Sequence, residues 1–319
     1  MFTLPQGDEG VPANSDENPI VLHDDVDDFR ALCWIIYCSK LLLSPTVHLK
    51  QRSLRTADLQ YLVGLYLISQ KYHFEAHESF AHQLLRDHCF KLSSPIPLAH
   101  WMETNYLYTC PQSRLKSLLR ISTFTTVTDQ PPKKSGSLAN LLQKVWTSRL
   151  KKQNESIRFA LEVATDLGLR NFMADLYYVQ LTRMKPTYSS VTSLAYAHPV
   201  NDLIPEQNLN LYKGFWSLYY YWVGTYNAYQ VNDICDCGHE CQAAWKECWN
   251  EIYTKPSTTF DPLDLVQQLE GILGTHAPKG EIELHLKCAH GELTDLRSTL
   301  ITSLPDHFLG PIPASVSDT

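Results

Sequence analysis

The sequence predicts a mainly α-helical protein, and three observations carry that reading. Apolar residues recur at three- and four-residue spacing in one segment after another from Val26 onward. Stretches rich in Pro, Gly, Ser, Asn and Asp punctuate those segments. A single short β-prone run, Ile20-Val21-Leu22, stands outside the helical pattern. Spacing of this kind places apolar side chains on one helix face, and the punctuating residues favour turns.

The elements follow in chain order. Residues 5–18 are polar and acidic and read as a loop. After the run near 20–22, Asp24 or Asp25 supplies a carboxylate suited to capping a helix N-terminus. That helix carries Val26, Phe29, Leu32, Cys33, Ile36 and Tyr37. A second helix starts near Thr56, with Leu59, Leu62, Val63, Tyr66 and Leu67 on one stripe. A third starts near Glu75 and uses Phe80, Ala81, Leu84, Leu85 and Cys89. Ser93-Ser94-Pro95-Ile96-Pro97 then breaks the pattern and marks a candidate domain boundary.

Further helices follow that boundary. Leu115, Leu118 and Leu119 define one over Ser113 to Phe124; a loop is expected near 125–137. Leu138, Leu141, Leu142, Val145, Trp146 and Leu150 define the next. Ile157, Ala160, Leu161 and Ala164 belong to another, which Gly168 ends as a C-terminal cap. Leu169, Phe172, Met173, Leu176, Tyr177 and Leu181 continue the series up to a loop near 186–205. Pro205 opens an aromatic helix holding Tyr212, Phe215, Trp216, Tyr219, Tyr220 and Trp222. Apolar residues that encircle a helix favour burial in a bundle, whereas tyrosine and tryptophan also suit an exposed partner face. Helices are also expected over 262–273 and 281–303, and residues 311–319 read as a flexible tail.

Composition narrows the function classes. At 319 residues the chain is long enough for two domains of about 150 residues each. Its 44% apolar and 19% charged content is ordinary globular usage. A formal net charge of −7 argues against nucleic acid or an anionic membrane as partner, because phosphate binding needs clustered Lys and Arg. The apolar runs are too short to span a bilayer. Met1-Phe2-Thr3-Leu4-Pro5 lacks the basic and apolar regions of a secretory signal. An intracellular protein, cytoplasmic or nuclear, with its nine cysteines as thiols is therefore expected.

Ile20 to Tyr37, followed by the helices over Leu59 to Cys89, resembles the C-terminal half of the BTB/POZ fold. In that family a strand of the type I-V-L-H-D-D-V runs into a helix ending in an aromatic residue, and two more helices close the domain. The resemblance is strongest to the BTB proteins of mushroom-forming fungi. Their M-F-x-L-P-Q segment matches Met1 to Gln6, and their E-N-P-I-V-L-H-D-D-V-D-D-F-R-A-L-C-W segment matches Glu17 to Trp34. Shorter pieces, Tyr72-His73-Phe74, Thr109-Cys110-Pro111, Gly214 to Leu218 and Leu304 to Leu309, fall in the same order as in that group.

The resemblance implies a partial BTB/POZ-like domain over residues 1–92, with one short residual strand and three helices. An irregular multi-helix region follows over 98–310. The sheet and helical hairpin that precede this point in the family are missing here, so the chain is expected to be an N-terminally incomplete BTB protein. The implied function is non-enzymatic protein–protein interaction. A protein partner, including another BTB chain, is expected to cover Val26, Phe29, Ile36 and Tyr37. Adaptors of cullin-type ubiquitin ligases in this family carry a hydrophobic-x-Glu motif before the strand. In this chain Glu9 follows Gly7 and Glu17 follows Ser15 at that spacing, so the motif is not matched.

One other cluster bears on chemistry. Cys235, Cys237, His239 and Cys241 offer soft ligands of the kind zinc takes, and a zinc-stabilised helical scaffold is the alternative reading. Their C-x-C-x-H-x-C spacing is tighter than paired knuckles. Cys241, Trp245, Cys248, Trp249 and Ile252 equally fit an apolar helix stripe, and no cofactor is expected on that reading. His73, His77 and His82 lack the His-Glu-x-x-His pattern, and no nucleophile elbow, phosphate loop or dinucleotide fingerprint occurs. A catalytic function is not expected.

Overall fold

The computed structural model describes residues 24–40, 56–92, 105–124, 137–153, 155–184, 202–231 and 282–312. Among the described residues all regular structure is helical. The run at 20–22, the loop at 5–18, the helix over 262–273, and Cys235, Cys237, His239 and Cys241 lie outside them. The chain divides into two compact units, Met1–Trp146 and Thr147–Thr319.

The first unit is built on α1 (Val26–Lys40), α2 (Thr56–Lys71), α3 (Glu75–Leu92), α4 (Tyr106–Thr109) and α5 (Gln112–Phe124). Asp25 caps α1, its Oδ1 accepting from the Asp27 amide at 2.9 Å. Asp27 and Asp28 in the first turn then oppose the positive end of the helix dipole. Helix α2 is the hub. It packs on α1, α3, α4 and α5, so its apolar residues reach around the axis. Leu59, Leu62, Val63, Leu65, Tyr66 and Ile68 are all buried.

The turn from α2 to α3 is tight. The Phe74 amide donates back to the Ser69 carbonyl at 2.8 Å, with His73 at φ 57°. A non-glycine residue there carries a backbone strain of about 1–2 kcal/mol, offset by the carbonyls it lets the turn satisfy. Ala81, Leu84, Leu85, His88 and Cys89 form the buried face of α3. Burial pushes the Cys89 thiol up to about 12, so it stays protonated as a small core residue.

Helix α4 has no counterpart in the sequence prediction. It is one turn long and depends on Asn105. The Asn105 Oδ1 caps it by accepting from the Leu107 amide at 3.0 Å, while Nδ2 lies 2.8 Å from His88 Nε2. Because both α4 and α5 pack on α2, residues 105–124 belong to the first unit. The boundary expected at Ser93–Pro97 lies outside the described residues.

The Asn105 amide donates to His88, so Nε2 must be unprotonated. Burial holds the His88 pKa down at about 4, from an ordinary 6.5. As pH falls the unfolded chain therefore takes up this proton first, and the stability tied to neutral His88 is lost between pH 6.5 and about 4. The gap corresponds to about 3 kcal/mol. Urea unfolding at pH 7 and pH 4.5 checks this: wild type should lose about 2–3 kcal/mol more than His88→Gln over that interval. Equal losses would show that His88 is not the group responsible.

Helix α6 (Leu138–Gln153) carries the chain from the first unit to the second. The second unit continues with α7 (Arg158–Asp166), α8 (Arg170–Arg183), α9 (Pro205–Val231) and α10 (Ile282–Leu309). Gly168, at φ 65°, ends α7 as its position predicts, with the Leu169 amide donating to the Ala164 carbonyl at 2.8 Å. Helix α10 runs past the expected end near 303, with Pro305 inside it. A proline there removes a single intrahelical bond, and the packing of Leu296, Leu300, Leu304 and Phe308 at four-residue intervals holds the last turns.

Helices α8, α9 and α10 contact one another pairwise. Phe308 sits between them, fully buried and stacked on Tyr177 at 5.5 Å between ring centroids. Gly214 on α9 makes room for its ring. A Cβ at that position would stand 1.9 Å from Phe308 Cδ1. The Arg170 guanidinium closes the end of α10, donating to Asp306 at 2.8 Å and to the Gly310 carbonyl.

Candidate functional site

Helix α1 has two apolar faces. Ala31, Leu32 and Ile35 are buried on one of them. Val26, Phe29, Ile36 and Tyr37 lie on the other, exposed by 64%, 40%, 40% and 65%. At 100° per residue these four share one stripe with the half-buried Cys33, opposite the buried set. The sequence grouped Leu32 with Phe29 and Ile36. The structure separates them, because apolar residues cover more than one side of α1 and the hydrophobic pattern alone leaves its rotation open.

Polar contacts set the rotation. Arg114 of α5 donates to both Asp28 oxygens, at 2.5 and 2.6 Å, and pairs with Asp25 at 2.8 Å. Burial raises the Asp28 carboxyl above its ordinary pKa, while Arg114 pulls the other way. Gly64 of α2 permits this closeness, since a Cβ there would meet Asp28 Oδ1 at 2.9 Å. The Lys71 ammonium and the Tyr72 hydroxyl both bond Asp24, each at 2.5 Å, and Trp34 stacks on Tyr61 at 5.5 Å. Of these ties, Asp28 lies on the inward face of α1, and Asp24 and Asp25 lie in the turn that leads into it. Sequence reasoning missed Arg114, whose role depends on a long-range approach of α5 that no local spacing signals.

The aromatic helix α9 divides in the same way. Gln207, Leu211, Gly214 and Leu218 are buried, whereas Tyr212, Trp216 and Tyr220 are exposed by 52%, 53% and 69%. Burial of the whole aromatic set is therefore not what the structure shows. The core face of α9 uses Leu and Gly, and Tyr212, Trp216 and Tyr220 face outward.

No group of three or more His, Cys, Asp or Glu side chains that could hold a metal ion occurs among the described residues. No helix among them is long and apolar enough to cross a membrane. The chain matches no family model, no curated protein and no solved structure.

Proposed function

We propose that the chain is a non-enzymatic protein-interaction protein of the BTB/POZ type, which acts by burying the outer face of α1 against a partner chain. The single observation that carries this reading is the stripe Val26, Phe29, Ile36 and Tyr37. It is apolar and exposed, on a helix whose opposite face is tied by Arg114 to Asp28 and whose N-terminal lead-in is held by Lys71 and Tyr72 on Asp24. A rigid helix with an exposed apolar stripe is the form in which helix-mediated recognition presents anchors at three- and four-residue spacing. The sequence from Ile20 to Tyr37, with its resemblance to the BTB strand and helix, supports the same reading.

The partner we assign is a second chain of the same type, because a copy supplies a matching apolar helix face and a two-fold contact closes without further surface. A cullin-type ligase is less well supported, since the hydrophobic-x-Glu motif is unmatched. The setting is intracellular, cytoplasmic or nuclear. Burying four such side chains at about 25 cal/mol per Å² gives enough apolar area to matter, with Phe29 and Tyr37 the largest anchors.

Sedimentation equilibrium of wild type and Phe29→Ser/Tyr37→Ser tests the assignment. Wild type is expected to self-associate. The double variant should dissociate at least about tenfold more readily with its helical circular dichroism unchanged, because both side chains are exposed. Identical association of the two proteins would remove α1 from the interface.

A further inference from the structure

A groove of about 520 Å³ opens between the N-terminal half of α9 and the last turn of α10. Its volume falls within the range of about 300–1,000 Å³ that small-ligand sites occupy. Leu209, Trp216 and Leu309 supply apolar wall; Lys213, Ser217 and His307 supply polar groups. Trp216 and Leu209 are each 53% exposed, so large apolar surface faces the opening. Such surface beside a cavity is ligand-like.

The polar groups have fixed roles. Ser303 Oγ donates to the Thr299 carbonyl at 2.9 Å, which leaves its oxygen to accept from His307 Nε2 at 3.4 Å. His307 Nδ1 then carries the lone pair and accepts from the Ser217 hydroxyl at 2.8 Å. Burial lowers the His307 pKa and favours this neutral state. The Ser217 proton is committed, so its oxygen presents only lone pairs and turns an anion away. Lys213 is different. It is exposed, lines the groove, and has no ion pair among the described residues, whereas Asp306 beside His307 is engaged by Arg170. Among the described residues the groove thus has one cation, at Lys213, and an apolar wall one turn away at Trp216.

The arrangement binds rather than reacts. Ser217 lies inside α9, where the backbone amides are used by the helix, so its own flanking N–H groups do not form an oxyanion site.

We propose that this groove binds a small aromatic carboxylate, with its ring against Trp216 and Leu309 and its carboxylate on Lys213. This goes beyond the association face on α1 and does not depend on it.

Isothermal titration of the full-length protein with 2-naphthoate tests the site, with 2-naphthamide as the uncharged control of the same shape. Saturable one-site binding of 2-naphthoate is expected, with the amide about tenfold weaker or more. Lys213→Met should weaken the acid to the level of the amide, Lys213→Arg should retain it, and Trp216→Ala should weaken both ligands. All three side-chain changes are on exposed positions, and unchanged thermal melts would confirm intact folding. Phe29→Ser/Tyr37→Ser should bind 2-naphthoate like wild type. Equal affinity for acid and amide, full affinity in Lys213→Met, or no saturable binding of 2-naphthoate would each overturn the proposal.

Discussion

Gly214→Ala is expected to disrupt the packing of α8, α9 and α10. In an ordinary helix this change stabilises by about 0.5–1 kcal/mol, because glycine loses more backbone entropy on folding. Here the added methyl would occupy the Phe308 ring, 1.9 Å from Cδ1 and 2.2 Å from Cε1. Phe308 has little freedom to yield, being fully buried and stacked on Tyr177. Either the helices separate or the ring leaves the core, and the second outcome approaches a Phe→Ala truncation. The expected cost is about 3–5 kcal/mol, above the usual overpacking cost of about 1–3 kcal/mol and equal to the usual range for losing a core phenylalanine. Phe308→Leu alone should cost less. Combined with Gly214→Ala it should cost clearly less than the sum, because the smaller side chain makes room for the methyl. Denaturant titration of the four proteins gives this coupling directly; strict additivity would mean that Gly214 and Phe308 do not share the contact described.

Arg114→Met carries the second large effect. The Arg114 side chain is 16% exposed and Asp28 13%, and both Asp28 oxygens rely on the guanidinium. Removing the cation leaves a desolvated carboxylate facing Gly64, a loss of about 3–5 kcal/mol at neutral pH. Asp28 already has a raised pKa in the folded protein, and losing Arg114 removes what opposed the rise. The folded state then binds this proton more tightly than the unfolded state does. The penalty of Arg114→Met should therefore shrink as pH falls through the folded pKa of Asp28. Arg114→Met/Asp28→Asn should recover part of the loss at pH 7, because no unpaired charge remains. Urea unfolding at pH 7 and pH 5 separates these outcomes. A penalty independent of pH would place the effect in lost packing of the Arg114 stem rather than in charge.

The two sites differ in how far the sequence reveals them. Helices α2, α3, α5, α6 and α9 begin within one residue of where spacing and Pro205 place them, because each repeats its apolar pattern over three or more turns. Helix α4 has too few residues for any period, and its stability comes from Asn105 reaching both a backbone amide and His88 on another element. For α1 the four outward residues were legible as apolar positions on a helix. Which of its faces turns inward was not, since Ala31 and Ile35 compete with Phe29 and Ile36 on hydrophobicity alone. Asp28 decides it through Arg114, and that contact joins distant parts of the sequence. Gly214 shows the same limit. It reads as a weak point in an aromatic helix until Phe308 is placed against it.

Hydroxyl-radical footprinting across a dilution series tests the central claim most directly. If α1 is the association face, modification of Val26, Phe29, Ile36 and Tyr37 should fall together as the protein associates. Tyr212 and Tyr220, exposed on α9, should stay equally reactive throughout. Unchanged modification of the four α1 residues over a range in which the protein associates, or a protein that stays monomeric at every concentration, would contradict the account.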